Sequence, residues 1–484
     1  MGVTDRVQFP CQHVPEEARE ARLLGIYPQR QKGLFMQRVR LPGGRIRPDQ
    51  WRGLAVLAGR YASGFPLHVT TRQDVELHGL RPEDLANVQH GMRDLGLSCA
   101  GACGDTVRNI TSCPGNGLRR GTWDVSDLVE SIQACAESIP WIADLPRKFK
   151  ISVCGCLESC TRPGINDLGL VANHDGSFRA VVAGSLGSKP AMGIVADDAL
   201  AVERVLPLIV ALLRLFHAEG DRKHRHRARL RHVRERLGDE AFRERVEKLF
   251  QEELAGRSDG TPDVRWVGSD TPLQAHLHLP LGDIMPEAAI ELGRAVEEVG
   301  AKLRVGLEHD LLLYGHSPPA LSAPLQTFST RVPVVACPGS TWCTKGIANS
   351  RAAAERIGCR LPQQSRISIA VSGCPNDCSQ AAAAPVGLVG RVQRVGGQPV
   401  KGFRIFVRDS QEPDSGLGRE VHPFVPADDI DEAVAWIVEQ YRRAVDHGAA
   451  TNFDELLSKE SRGLTKILDR RYSTSTRREY AAVS

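Results

Sequence analysis

No stretch of this 484-residue chain approaches the ~20 uninterrupted apolar residues of a membrane span. The best candidate, Val205 to Phe216, is short and carries Arg214. The opening residues, Met-Gly-Val-Thr-Asp-Arg, lack the apolar core of a secretory signal, and Arg6 stands where a myristoylation motif wants Ser or Thr. A cytoplasmic protein with no membrane partner is the expectation. Charge of one sign is lacking too. With 62 basic against 58 acidic side chains the formal net charge is +4, too balanced for nucleic-acid binding to be the main business. No Gly-x-Gly-x-x-Gly follows a strand, which argues against a built-in flavin or nicotinamide module. Composition is otherwise that of a globular protein long enough for roughly two to four domains.

Cysteine is what the chain does have. Its 13 cysteines are odd in number and tightly clustered, which points to metal or redox chemistry rather than to disulfides. The chain also repeats itself. Val39-Arg40-Leu41-Pro42-Gly43-Gly44-Arg45-Ile46-Arg47-Pro48 precedes a helical stretch and then Leu67 to Arg72 and Val75 to Gly79. Leu277 to Pro286 precedes a helical stretch, with Ala289, Leu292, Val296 and Val299 at helical spacing, and then Leu303 to Leu307 and Leu311 to Gly315. Each copy reads strand, helix, strand, turn, strand. A second unit follows each. Ile151-Ser152-Val153 leads to Gly155-Cys156-x3-Cys160 and Gly169-Leu170-Val171; Ile367-Ser368-Ile369 leads to Gly373-Cys374-x3-Cys378 and Gly387-Leu388-Val389. From Gly-Cys-x3-Cys onward the copies hold a constant offset of 218. The expectation is a duplicated α+β fold, with the charged segment 220–260 between the halves. Its basic residues Arg222, Lys223, Arg225, Arg227, Arg229 and Arg231 read as a solvated helix surface, with a docking patch for an acidic electron carrier as the alternative.

In the second half Cys337-x5-Cys343 is followed, after thirty residues, by Cys374-x3-Cys378. Four thiolates in two short-range pairs suit a cubane, which needs one sulfur per iron. Zinc pairs sit closer than the first of these gaps. Pro338 and Pro375 fix the backbone just after a ligand, and Gly339 and Gly373 let backbone approach inorganic sulfur.

Cys337-Pro-Gly-x3-Cys343 together with Ser372-Gly-Cys-Pro-Asn-x-Cys378 resembles the cluster-binding signature of siroheme sulfite and nitrite reductases. Arg38-Val39-Arg40-Leu41-Pro42-Gly43-Gly44, Thr70-Thr71-Arg72-Gln73, Gly104 to Thr111 and Leu145-Pro146-Arg147-Lys148-Phe149-Lys150 also look like motifs of that family, in its order. The resemblance implies duplicated ferredoxin-like and siroheme-binding halves with pseudo-twofold symmetry. The segments are then 1–90 and 91–219 for the first ferredoxin-like and siroheme-binding repeats, 220–330 for linker helices and the second ferredoxin-like repeat, 331–455 for the second 4Fe–4S/siroheme-binding repeat, and 456–484 for a tail.

The same resemblance implies roles. Cys337, Cys343, Cys374 and Cys378 ligate the 4Fe–4S cluster, and Cys378 also bridges it to the siroheme iron. Arg38, Arg108, Lys148 and Lys150 surround the open face where a small oxyanion binds, and Arg72 and Arg147 hold cofactor carboxylates. Permanent cations suit both a polycarboxylate cofactor and an anionic substrate. Electrons come from ferredoxin or a partner flavoprotein. The pattern Lys148-Phe149-Lys150 weights the expectation toward reduction of sulfite to sulfide, since nitrite reductases of the family typically carry asparagine at the second lysine. Nitrite reduction is the alternative; a relative in cobalamin biosynthesis and a non-catalytic electron-transfer protein are further ones. In the first half Cys113, Cys156 and Cys160 match ligand positions, but the place of Cys343 falls near Arg119, with Cys103 or Cys154 as possible substitutes. A degenerate remnant of the duplication is the expectation there.

Overall fold

The computed structural model describes residues 18–446 and Leu468, apart from residues 63, 257–259, 331–333, 362–366 and 409–415. The expected tail lies outside the described residues except for Leu468. The chain is α+β and divides into two compact units. One runs to Ser185 and resumes over Ala191–Thr330; the other comprises Leu186–Pro190 and the chain from Arg331.

Both strand–helix–strand repeats lie in the first unit. One sheet has the order Ile26–Pro28, Phe35–Val39, Val75–Leu80, Leu67–Val69, Asp283–Ile284. The other has the order Leu273–His278, Asp310–Tyr314, Lys302–Val305, Arg45–Ile46. The last strand of each comes from the opposite repeat: Ile284 pairs with Leu67, and Ile46 with Leu303, both antiparallel. The crossing is made by matching turns, Pro42–Gly44 and Pro280–Gly282, where Gly43, Gly44, Leu281 and Gly282 all have positive φ. Glycine adopts that conformation without a Cβ penalty; a side chain at Leu281 does not.

Each turn feeds a helix that starts at proline, whose missing N–H costs nothing in the first turn. In Pro48–Tyr61 the buried face is Trp51, Leu54, Ala55 and Ala58, and in Pro286–Glu298 it is Ala289, Leu292, Gly293 and Val296, the i, i+3, i+4, i+7 stripe of an amphipathic helix. These faces meet. Trp51 is fully buried and its indole N–H donates to the Ala289 carbonyl at 3.0 Å. Trp51→Ala would cost ~3–5 kcal/mol here.

The second repeated element appears once in each unit, as a five-stranded sheet. In the first unit the strands Thr111–Ser112, Ile151–Cys154 and Leu168–Ala172 are parallel, followed by antiparallel Phe178–Val182 and Ile194–Leu200. In the second unit Val334–Ala336, Ile369–Ser372 and Val386–Val395 are parallel, followed by antiparallel Gln398–Val407 and Arg419–Pro426. Register agrees as well, Ile151 facing Leu168 as Ile369 faces Val386. The central strands are buried along their length, as parallel strands covered on both faces require. The apolar run from Val205 belongs to the helix Val205–Glu219, which is buried nearly all round as a core helix. Among the described residues no helix is long and apolar enough to cross a membrane.

Candidate functional site

The cysteines of the second unit stand just past the carboxyl ends of neighbouring parallel strands. Cys337 follows Val334–Ala336, and Cys374 and Cys378 follow Ile369–Ser372. Loops at that end of a parallel sheet converge on one place, where ligands commonly sit. The convergence is tight. The Gly373 N–H donates to Cys337 Sγ at 3.1 Å and the Lys345 N–H to Cys343 Sγ at 3.4 Å. The Gly373 carbonyl accepts from Ile347 and Ala348 at 2.8 and 2.9 Å, tying the Cys343 loop to the Cys374 loop. A Cβ at Gly339 would stand 2.1 Å from Ser350 Oγ, and one at Gly373 would stand 2.7 Å from the Gly339 Cα. Only glycine allows that approach.

Asp377, which the sequence reading passed over, anchors this loop. It is buried; Oδ1 accepts from the Ser372 hydroxyl at 2.8 Å and the Ala381 N–H at 2.7 Å, and Oδ2 from the Ala382 N–H at 3.0 Å. Burial, then the nearby Cys378, pushes the Cys337 thiol up to about 12, and the same two causes push Cys374 up to about 11. Thiols held together this way gain most from a cation that takes up their charge. Inward N–H donors, close backbone and four convergent sulfurs fit a cubane cluster.

The cationic candidates lie in the first unit, and the structure joins them through shared backbone. Arg38, paired across the sheet with Glu76, donates from Nε to its Oε1 at 2.9 Å. Arg38 and Arg108 both donate to the Ala102 carbonyl, at 3.4 and 3.0 Å. Val107 bridges Phe149 in parallel register, with the Arg108 N–H donating to the Phe149 carbonyl at 2.8 Å. Val107 and Phe149 are buried, so the alternation of an extended chain turns half-buried Arg108, Lys148 and Lys150 to the other face. Arg72 donates to the Asn109 carbonyl at 2.8 Å and Asn166 Oδ1 at 3.1 Å. Arg147 donates to Asp105 Oδ1 at 3.3 Å, beside Arg225 at 2.9 Å. Arg38 and Arg108 thus meet directly, Arg72, Lys148 and Lys150 lie on or beside the segments that flank Arg108, and Arg147 is held at Asp105.

A buried carboxyl, Asp74, sits in their field. Burial raises it to about 6 against the pull of Arg38, Arg108, Arg72 and Arg40. Burial also brings Arg72 down to about 10. Among the described residues the buried Nε atoms of Arg40, Arg72 and Arg231 lack a hydrogen-bond partner. Buried donors of that kind suit a polycarboxylate such as siroheme, which would satisfy them.

The basic segment between the halves requires a correction. Arg229 and Arg231 are not solvated but 8% and 3% exposed. Arg229 grips Asp167 from Nε at 3.3 Å and Nη2 at 2.6 Å, and Asp167 also accepts the Lys150 backbone N–H at 2.7 Å. Within the segment a 3-10 turn, Arg225–Arg227, precedes the helices Leu230–Leu237 and Asp239–Gly256. The every-second-residue spacing of its arginines was the available signal. Arg222 to Arg227 remain exposed.

The first half holds a tighter group of sulfurs than the set the motif names. Cys113, Cys156 and Cys160 place their sulfurs within 4.8 Å of one another, and Cys154, not Cys103, joins them. Hydrogen bonding from Cys113, ahead of that from Cys154 and Cys160, holds the Cys156 thiol far below its ordinary range, while the Cys113 and Cys160 thiols are pushed up.

Comparison with known proteins agrees with this geometry and corrects one expectation. The nitrite and sulphite reductase 4Fe-4S domain matches residues 103–254 and 329–455, and the nitrite/sulfite reductase ferredoxin-like half domain matches residues 27–95. The chain is similar to an assimilatory ferredoxin-dependent nitrite reductase of Haloferax mediterranei, with 30% identity over 88% of this chain and 84% of the relative. It is 30% identical to a ferredoxin–nitrite reductase of Synechococcus elongatus over 83% of this chain and 85% of that one. It is 29% identical to the chloroplastic ferredoxin–nitrite reductase of Zea mays over 91% and 86%. The solved structure of Mycobacterium tuberculosis NirA protein shares the fold, with a TM-score of 0.76 at 22% identity over 88% of both chains.

Relatives named for nitrite overturn the first choice of sulfite. The argument from Lys150 failed because it took a second lysine as a mark of sulfite. Nitrite reduction consumes eight protons for each ammonium formed, so a second ammonium group that can donate protons suits nitrite as well. The matches span most of the chain, which belongs to the nitrite and sulphite reductase family, with that family's siroheme and 4Fe–4S cluster as its cofactors.

Proposed function

We propose that the chain is a ferredoxin-dependent nitrite reductase, converting nitrite to ammonium and two waters with six electrons and eight protons. The observation that carries this reading is the agreement among archaeal, cyanobacterial and plant relatives, all named ferredoxin nitrite reductases and all matched over more than four-fifths of this chain. When bound, siroheme would supply an iron site for the substrate and the cluster would store electrons. Cys337, Cys343, Cys374 and Cys378 would hold the cluster, and Cys378, the exposed one of the four, would also hold the siroheme. Arg72 and Arg147 hold siroheme carboxylates, and Arg229 fixes the Lys150 backbone through Asp167.

Arg38 and Arg108 hold the anion's oxygens, because a guanidinium stays charged at any physiological pH and offers a planar pair of donors. Lys148 and Lys150 donate protons to the departing oxygens, turning each into water. The exposed run Arg222 to Arg227 supplies a basic patch for an acidic electron carrier, whose attraction salt would screen.

The test is an anaerobic assay with reduced ferredoxin, following nitrite loss and ammonium gain. One ammonium per nitrite is expected. Lys150→Ala should lower kcat by on the order of 10²-fold, the usual worth of a positioned acid, with a smaller effect on KM. Arg38→Ala should act chiefly on KM. Sulfide formation from sulfite outrunning ammonium formation from nitrite would overturn the reading.

A further inference from the structure

The first-half cysteines are a set the nitrite reaction does not use. Cys154 Sγ lies 3.4 Å from Cys156 Sγ and 3.6 Å from Cys160 Sγ, and Cys156 lies 3.9 Å from Cys160. Cys113, Cys156 and Cys160 make a second triangle that shares the Cys156–Cys160 edge. Cys154 and Cys113 thus both stand against the Cys156–Cys160 edge, Cys154 close to it and Cys113 farther out. No pair is at bonding distance, and all four are free thiols.

The size of this group decides what it can hold. A single ion bound to four thiolates at about 2.3 Å places neighbouring sulfurs about 3.8 Å apart. Cysteines of a cubane bond four different irons from the outside, so their sulfurs stand roughly 6 Å or more apart. The three edges among Cys154, Cys156 and Cys160 match the single ion, and Cys113 is near enough to supply the fourth sulfur. The ligand types select zinc, which takes tetrahedral sites of four cysteines closed to further ligands.

The repeat explains how the site arose on a scaffold that elsewhere holds a cubane. Ser159 and Arg162 have φ of 51° and 52°, and Asp377 and Gln380, 218 residues on, have φ of 51° and 63°. The cysteine loops therefore have the same backbone. They differ in the fourth sulfur. In the second half it is Cys343, on a separate loop after the short helix Gly339–Trp342. In the first half Arg119 stands near that place, and the fourth sulfur is Cys154, two residues before Cys156 on the same chain. The residue matching Cys154 is Ser372, fully buried and bonded to Asp377 and Ser379. A sulfur at the strand end in place of one across a loop draws the first-half set tighter than the second, in which, among the described residues, no three sulfurs lie within 4.8 Å of one another.

The surroundings suit a closed structural site. Cys113, Cys154 and Cys156 pack with Val171 in one buried cluster against Cys160. Gly155 is pinned by Trp123, whose backbone N–H donates to its carbonyl at 2.8 Å, with no room for a Cβ there. A tetrathiolate zinc carries two net negative charges, and Arg119, electrostatically coupled to Cys113 and Cys156, offers a counter-charge.

We propose that Cys113, Cys154, Cys156 and Cys160 form a mononuclear tetrathiolate site that binds one zinc ion and staples the first-half cysteine loop, separate from the 4Fe–4S ligand set. Binding displaces the thiol protons to solvent, and no electron transfer is involved. The experiment uses the intact holoenzyme. Elemental analysis should give one zinc beside about five irons, four from the cubane and one from siroheme. Absorption fine structure at the zinc edge should show four sulfur neighbours at about 2.3 Å. Cys154→Ser, which installs the side chain that the matching fold already tolerates, should lose the zinc or replace one sulfur by a lighter atom. Its iron content and siroheme spectrum should not change. Iron near nine per chain, a single extra iron in place of zinc, absence of a second metal, or zinc retained with unchanged sulfur count in Cys154→Ser would each overturn the proposal. Should Cys154→Ser fail to accumulate, the wild-type zinc edge decides alone.

Discussion

The two cysteine loops are one backbone with two ligand geometries. Each follows a buried parallel strand, each turns through two left-handed residues at matching places, and each presents two cysteines spaced by three residues. In the second half the loop is locked from beneath by Asp377, and its partner sulfurs come from a neighbouring segment tied on by the Gly373 carbonyl. In the first half Ser159 takes the place of Asp377, and the sulfurs close on one another at 3.4 to 3.9 Å. On the zinc proposal, the position of one sulfur sets how many metal ions such a loop holds.

The largest test of this contrast is Cys378→Ser. It should abolish nitrite reduction and lower both the cluster and the siroheme content, whereas exposed Cys359→Ser should leave iron and acid-labile sulfide unchanged. Equal losses in the two variants would break the ligand assignment. Next in size is the lock. Asp377→Ala removes an acceptor that satisfies three buried donors and should lower stability by about 3 kcal/mol, whereas Ser159→Ala in the other loop should cost under about 1 kcal/mol. Denaturant melts of both variants check this, and equal shifts would mean that the loops are held alike.

The smallest effect is a slope with pH. Buried Asp74 keeps its proton in the folded chain up to about 6, above the ordinary 3.8 of the unfolded chain. The native state therefore binds the proton more tightly, and this group's stabilisation, full at acid pH, is lost as pH rises through 6. Asp74→Asn cannot titrate. Its Tm relative to wild type should increase between about pH 4 and pH 7, and a constant difference would mean that the surrounding arginines cancel the effect of burial.

Where chemistry follows spacing, the sequence was a sound guide. The Gly-Cys-x3-Cys repeat foretold matching sheets, and two residues of the cationic motifs, Arg38 and Arg108, share the Ala102 carbonyl. Cys154 was weighed only as a spare sulfur. Yet Cys154-Gly155-Cys156 has the period of an extended chain, which turns both thiols to one face. Arg229 and Arg231 were misread because basic residues are solvated by default, and only the carboxylate they meet, Asp167 for Arg229, reverses that. The exchanged strands were out of reach of local pattern. Two residues such as Arg45–Ile46 have no periodicity, and their pairing depends on how the distant helices dock. Substrate choice failed for a different reason: Lys150 was taken as a mark of sulfite, although a proton-donating lysine serves nitrite as well.

The exchanged strands also set a schedule for synthesis. The strand Leu67–Val69 leaves the ribosome early, but its neighbour Asp283–Ile284 emerges more than two hundred residues later. At ~5–20 residues per second that edge stays unpaired for roughly 10–40 s. An open edge invites pairing with another nascent chain. Slow elongation, dense polysomes or a stop before Ile284 should therefore convert this enzyme's yield into aggregate, and a holdase that covers the first repeat should recover it.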